Sequence, residues 1–280
     1  MIKSLKRYFP IFALPTIIAF VIAFLAPFIM GIYLSFTEFH TVIDASWVGL
    51  KNYSLLFSDE GFMDALWFTV KFTVVSVLTI NILAFGLALL LTGTIKGTNV
   101  FRTVFFMPNL IGGIVLGYIW LSIINSVLYQ FGVTITYDPK YGFWGLVILM
   151  NWQLIGYMMI IYIAGIQNVP SELIEAAQID GASRWQTLRK VTIPLVMPAA
   201  TIGLFLTLTN SFKLFDQNLA LTNGAPAEST TMLALDIYKT FYGRMGWEGV
   251  GQAKGVIFFI IVGVIALTQV AITRRKEVEM

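Results

Sequence analysis

The 280-residue chain has no cysteine and a single histidine, His40. Disulfides, thiolate metal sites and cysteine nucleophiles are thereby excluded, as is any metal site built from several histidines. Charge is scarce as well. Asp, Glu, Lys and Arg make up 12% of the chain, about half of the ~25% usual in soluble domains. That leaves too little polar surface for a domain bathed in water. The net charge of +3 is too small to point to nucleic acid. A Walker-type phosphate loop is also missing: Gly93 to Gly97 comes nearest but lacks the following Lys and Ser/Thr.

Hydrophobicity is what the chain has, with 58% apolar residues, 15% aromatics and a mean hydropathy of +0.81. A bilayer core about 30 Å thick needs roughly 20 apolar residues in a helix. Six uncharged runs meet or approach that length, at about 11–35, 72–91, 104–124, 143–166, 195–212 and 255–273. They are continuously apolar and do not alternate, which indicates helices rather than barrel strands. With their flanking turns the predicted spans are about 11–35, 65–91, 104–124, 143–166, 194–213 and 253–273. The expected fold class is all-α, a polytopic membrane protein with one transmembrane domain over 1–280. The basic start followed by an apolar run has the outline of a signal peptide. That run is about 25 residues long, against 7–15 for a signal core, and no small-residue cleavage site follows, so a retained helix is expected.

Lys and Arg set the expected orientation. Eleven of the eighteen fall on one side of the six spans: Lys3, Lys6, Arg7, Lys96, Arg102, Arg184, Arg189, Lys190, Arg274, Arg275 and Lys276. Only five of the fifteen acids share that side. Both termini are therefore expected in the cytoplasm. Lys254 is counted with the remaining cations, outside or at a span edge. Trp47, Trp67 and Trp247 lie near span borders, where indole rings favour the interface.

The cytoplasmic connection between spans four and five, within 169–193, reads as a helix, a sharp turn and a second helix. Ser171 is expected to cap the first helix, with Glu172 and Glu175 near its positive end. Asp180-Gly181 ends it, Gly181 taking the left-handed conformation. Trp185, Leu188 and Val191 recur at helical spacing in a second short amphipathic helix, and Pro194 is expected to start span five.

The run Glu175-Ala176-Ala177, Asp180-Gly181-Ala182 and Ile193-Pro194-Leu195 closely resembles the EAA loop of binding-protein-dependent ABC importer permeases. Asp180 before Gly181, and Pro198 shortly after, look most like the sugar branch, the maltose- and glycerol-phosphate-type permeases. Three further stretches resemble that branch in order: Val48 to Tyr53 with Leu56-Phe57, Lys96-Gly97 with Phe101-Arg102 and Pro108-Asn109, and Phe215-Asp216 with Leu221 to Pro226. Leu188 stands where the family usually has Phe, an apolar replacement of similar reach, and Asn223 where it often has Gly; neither change threatens the resemblance.

The resemblance implies a non-catalytic translocation subunit in the bacterial cytoplasmic membrane, importing a sugar or oligosaccharide. Its implied partners are a second homologous permease, a cytoplasmic ATPase dimer using ATP and Mg, and an extracytoplasmic solute-binding protein; the chain itself would bind no cofactor. Glu172, Glu175, Ala176, Ala177, Asp180, Gly181 and Ala182 would then form the ATPase-coupling surface. Helices either side of such a loop line the solute cavity in the sugar branch, so polar residues of spans four and five become pathway candidates: Asn151, Trp152, Gln153 and Tyr157, with Thr207, Thr209, Asn210 and Ser211. Amides and hydroxyls suit sugar hydroxyls, and Trp152 or Tyr157 can stack on a sugar ring; helix–helix hydrogen bonding is the other use of such residues. Glycerol phosphate, a polyol or an acidic sugar are alternative solutes. An autonomous proton-driven transporter would carry acids or histidines within its spans, and an intramembrane enzyme would need a nucleophile system, paired carboxylates or a metal set there. The six runs contain none of these.

Overall fold

Apolar segments in lipid must satisfy their backbone internally, and a helix does so within one segment. A computed structural model describes residues 2–93 and 96–277, with side chains at Phe9 and from Ile11 onward. The side chains of Lys3, Lys6 and Arg7, used above for orientation, lie outside the described residues, as do 278–280 of the expected 1–280 domain. The chain is 78% helical. Helix α1 (Ile2–Phe20) passes through a π turn, Val21–Leu25, into α2 (Ala26–Leu34). Two short strands pair antiparallel, β1 (Thr37–Glu38) with β2 (Ser46–Trp47). Then come α3 (Lys51–Ser58), α4 (Glu60–Leu91), α5 (Thr98–Phe106), α6 (Gly113–Leu128) and α7 (Pro139–Gln167). The rest is α8 (Ser171–Ile179), α9 (Arg184–Thr187), α10 (Ile193–Phe212), α11 (Asp216–Leu221), α12 (Leu233–Gly243) and α13 (Glu248–Arg274). Six helical stretches are long and apolar enough to cross a membrane: Ile11–Leu34, Glu60–Leu91, Gly113–Phe131, Pro139–Gln167, Arg184–Phe212 and Glu248–Arg274. The all-α, six-span class read from the sequence is present.

The chain forms two compact units, one of residues 1–60 with 237–260 and one of residues 61–236 with 261–280. In the first, buried Asn52 donates to the carbonyls of Ser35 (3.0 Å) and Thr37 (2.8 Å), fixing α3 beneath the chain between α2 and β1. Lys254, on α13, is fully buried; its Nζ bonds Asp59 Oδ2 and Thr240 Oγ1, both at 2.8 Å. The helix begins six residues earlier, at Glu248, and a lysine partnered by a carboxylate can be enclosed where an unpaired one cannot.

In the second unit α7 is the central helix, with 67% of its most apolar window buried. Leu146, Leu149, Met150, Met158 and Met159 are core residues there. A glycine makes the closest approach possible: a Cβ on Gly156 would lie 1.8 Å from the carbonyl oxygen of Phe105, so α5 rests directly on the backbone of α7. Three helices are tied by amide and hydroxyl groups. Asn81 of α4 accepts from Tyr162 of α7 (2.7 Å) and donates to Thr207 of α10 (2.8 Å). Gly117 of α6 likewise admits Ala220 of α11, where a Cβ would meet Ala220 Cβ at 2.5 Å.

Several expected boundaries change, α4, α7 and α13 starting at Glu60, Pro139 and Glu248. The third apolar helix does not run from 104; a 3₁₀ turn, Met107–Leu110, and extended Ile111 and Gly112 separate α5 from α6, and Pro108 has no N–H with which to continue the α-helical ladder. The fifth does not start at Pro194. Helix α9 continues through a π turn, Leu188–Thr192, into α10, with the Ile193 N–H bonding the Leu188 carbonyl. The second amphipathic helix and span five are thus one continuous helical stretch. Finally, Ser171 does not cap α8: Pro170 is the N-cap and no side chain caps it.

Candidate functional site

The connection between α7 and α10 is a sharp turn specified by local residues. Gly181 sits at φ +79°, which costs a non-glycine residue roughly 1–2 kcal/mol. The N–H of Gly181 bonds the Gln178 carbonyl (3.0 Å) and that of Ala182 bonds the Ala177 carbonyl (2.9 Å). These are the two bonds of a Schellman C-cap. A new helix starts within two residues. Ser183 and Gln186 form a reciprocal capping box, Ser183 N–H to Gln186 Oε1 at 2.7 Å and Gln186 N–H to Ser183 Oγ at 3.3 Å. Neither residue was singled out from the sequence, although Ser-x-x-Gln is the readable signature of such a box.

No residue of α8 is buried. Ile174 packs against the core and holds the helix to the second unit. Glu172, Glu175, Ala176, Asp180 and Gly181 are exposed, and Ala177 and Ala182 are half-buried. Ile179 is 85% exposed and Trp185 66%. A turn that presents small residues, three acids and three large apolar side chains, Leu173 among them, has the make-up of an interaction surface. The seven residues predicted for coupling all lie on this one turn.

The pathway candidates are dispersed. Gln153 and Asn210 meet across a cleft of about 210 Å³ that Asn109, Lys213 and Gln217 also line. Gln153 Oε1 accepts from Gln217 Nε2 at 2.8 Å, and Asn210 Nδ2 donates to the Leu206 carbonyl at 2.8 Å. Lys213 is the sole charged residue of the lining. The other candidates lie elsewhere. Trp152 meets Trp120 edge-on (5.8 Å) and lines a different, apolar cleft of about 450 Å³. Tyr157 is edge-on to Phe106 at 6.3 Å. Thr207 is consumed by Asn81, and buried Ser211 donates to the Thr207 carbonyl at 2.7 Å. Thr209 donates to the Phe205 carbonyl at 2.9 Å. Asn151 donates to the Val147 carbonyl (2.8 Å), while its Oδ1 is buried with no protein partner.

Lys213, readable with Asp216 as a gate or as the water boundary, and Gln217, which lies outside the apolar runs, follow the end of α10. Asn109, which follows Pro108, also lines this cleft. Helix α7 is capped by Asp138, whose Oδ1 accepts from the Lys140 N–H at 2.9 Å. That backbone bond, with help from the Lys140 ammonium, holds the Asp138 carboxyl below its usual range. Among the described residues no group of three His, Asp or Glu side chains could hold a metal ion.

Six apolar helices, an exposed turn joining the two most internally packed of them and a polar cleft along the same pair define a multi-pass membrane protein built to move something and to be moved. Residues 90–277 match the model of the binding-protein-dependent transport system inner membrane component family, and the chain belongs to that family. It is 47% identical over 279 residues to the probable starch degradation products transport system permease protein AmyD of Thermoanaerobacterium thermosulfurigenes, covering 96% of this chain and 95% of that one. It is 31% identical over 287 residues to the multiple sugar-binding transport system permease protein MsmF of Streptococcus mutans, covering 99% of each. Its fold is that of a chain in the crystal structure of a bacterial ABC transporter involved in the import of the acidic polysaccharide alginate, with a TM-score of 0.81 at 24% identity over 98% of both chains.

Proposed function

We propose that the chain is the permease subunit of an ATP-driven importer for a sugar or oligosaccharide, that it forms half of the translocation pathway, and that it couples to a cytoplasmic ATPase through the 171–192 turn. The exposed turn carries this reading. Its small residues let a partner surface approach, Glu172 and Glu175 offer charge to basic groups, and Ile179 and Trp185 offer apolar area. The helical continuity of α9 with α10 gives the turn a lever: a force on Trp185 is transmitted along one stiff stretch to Asn210 at the cleft. The chain is non-catalytic; ATP and Mg belong to the ATPase dimer. A second homologous permease supplies the other half of the pathway, and an extracytoplasmic solute-binding protein delivers the solute. Both termini face the cytoplasm of a bacterial cell.

The 47%-identical relative named for starch degradation products favours short glucose oligomers as the solute. Neutral amides from Asn109, Gln153, Asn210 and Gln217 suit sugar hydroxyls. Lys213 on the same lining is the one observation favouring the runner-up, an acidic sugar or a sugar phosphate. The test is uptake of labelled maltotriose by proteoliposomes holding the complete complex with its binding protein and internal ATP. Accumulation that needs ATP supports the reading. Accumulation by this chain alone, without an ATPase, contradicts it in favour of an autonomous transporter.

A further inference from the structure

The apolar cleft of about 450 Å³ beside Trp152 serves neither the solute pathway nor the coupling turn. Leu83 and Leu87 of α4, Phe105 of α5, the following Met107 and Trp152 of α7 line it, and no charged residue does. Charge stands instead at one end. Leu87 lies about one turn before Leu91, the last residue of α4, and Arg102 lies about one turn before Phe105 on α5. Arg102 Nη2 donates to the Leu91 carbonyl at 2.9 Å, so a guanidinium joins the two walls at that end. This is the sole bond of the Arg102 side chain among the described residues, and its Nε is buried with no partner. Lys96, exposed in the connection from α4 to α5, lies on the same side of the spans. Neither cation forms an ion pair with a carboxylate among the described residues.

We propose that this cleft holds an acyl chain of an anionic phospholipid, whose phosphate is bound by Arg102 and Lys96. Three observations select that occupant. The cleft lies at membrane depth, with Leu83 and Leu87 in the second spanning stretch and Trp152 in the fourth, and a wholly apolar space there does not hold water. Its walls are large side chains. Helices that pack together in a membrane meet at small residues, and the one glycine of the lining, Gly156, is already covered by the Phe105 carbonyl. A flexible hydrocarbon chain fits between such walls, where the backbone of another helix cannot come close. Finally, two unpaired cations stand at the end of the cleft. Basic groups between helices at a membrane face bind phosphate-bearing headgroups, and a guanidinium can donate to two phosphate oxygens at once. An apolar helix in the cleft would leave both cations unmatched. By the count of spans, this end lies on the same side of the membrane as the 171–192 turn, so the lipid belongs to that leaflet. Its phosphate bridges the end of α4 to α5.

The complete transporter is reconstituted in phosphatidylcholine liposomes with a trace of phosphatidylglycerol or of phosphatidylcholine that carries a diazirine on one acyl chain. After illumination, adducts are mapped by mass spectrometry. Phosphatidylglycerol is expected to label the peptides of Leu87, Phe105 and Trp152 at least about fivefold more than phosphatidylcholine, the factor that one cation near a membrane surface represents. Leu267, on the exposed apolar face of α13, should be labelled equally by both. Lys96→Gln, which breaks no bond of the fold, should lower the preference, and Lys96→Gln combined with Arg102→Gln should abolish it. Met107→Trp, which fills the cleft, should lower labelling at Leu87 and Trp152 by both lipids. These readouts require no transport, so they stand apart from the identity of the solute. Equal labelling of the cleft by the two lipids, a preference that Lys96→Gln leaves unchanged or that survives both substitutions, or no labelling there by either lipid overturns the site.

Discussion

The 171–192 turn and the Gln153–Asn210 cleft are built on the same two helices, and they are finished to different degrees. In the turn the backbone is complete. Its two central helix ends are capped, by the Gly181 motif on one helix and the Ser183–Gln186 box on the next, yet no side chain of α8 is buried. In the cleft the reverse holds. Polar side chains already bond one another or nearby carbonyls, as Gln153 does with Gln217 and Asn210 with Leu206. The turn is fixed in its backbone and exposed in its side chains; in the cleft Gln153, Gln217 and Asn210 already have partners, which on the proposed reading they exchange to admit a solute. A surface of the first kind transmits force, and one of the second kind binds weakly and reversibly.

The contrast breaks most visibly at the turn. Gly181→Val forces a β-branched residue into a left-handed conformation and should, with Glu175→Lys, lower ATP-driven maltotriose uptake by at least about tenfold, the factor that roughly 1.4 kcal/mol represents. Recovery of the ATPase on the purified permease should fall in parallel. In the cleft, Gln153→Ala and Asn210→Ala should weaken uptake about three- to tenfold through a raised half-saturation for solute, on the scale of about 1 kcal/mol per lost hydrogen bond, with ATPase recovery unchanged. Equal loss of ATPase recovery from both regions would erase the distinction.

How much of this was legible depends on the range of the interactions. The six helices follow from apolar runs, and the turn from Asp180-Gly181, because span length and left-handed backbone are local properties. Pairing across the fold is not local. Thr207 and Gln153 look alike in a span as polar residues at membrane depth, but Thr207 meets Asn81 while Gln153 meets Gln217. Nothing near either residue announces the difference. The join of α9 to α10 was hidden by Pro194, an ordinary helix-start signal that a π turn here accommodates. Lys254 was hidden by its charge, since its partners Asp59 and Thr240 are 195 and 14 residues away.

Smaller effects sharpen the same comparison. Asn81→Leu should lower the unfolding free energy in detergent by about 1 kcal/mol, the scale of membrane interhelical bonds, by depriving Thr207 and Tyr162 of their partner. The half-saturation of the transporter that still folds should stay unchanged, since Thr207 belongs to the scaffold. Ser183→Ala removes a cap worth about 0.5–2 kcal/mol. It should loosen the second helix of the turn, read as faster amide exchange over 183–187, with uptake falling less than for Gly181→Val.

The central claim is that the turn, and not the cleft, meets the ATPase. Single cysteines at Ala177 and at Asn210, in a chain that otherwise has none, test this through a short bifunctional thiol cross-linker applied to the assembled transporter in membrane vesicles. Ala177→Cys should yield a covalent adduct with the ATPase subunit and Asn210→Cys should yield none. An ATPase adduct from Asn210→Cys, or its absence from Ala177→Cys in vesicles that still import maltotriose, would contradict the account.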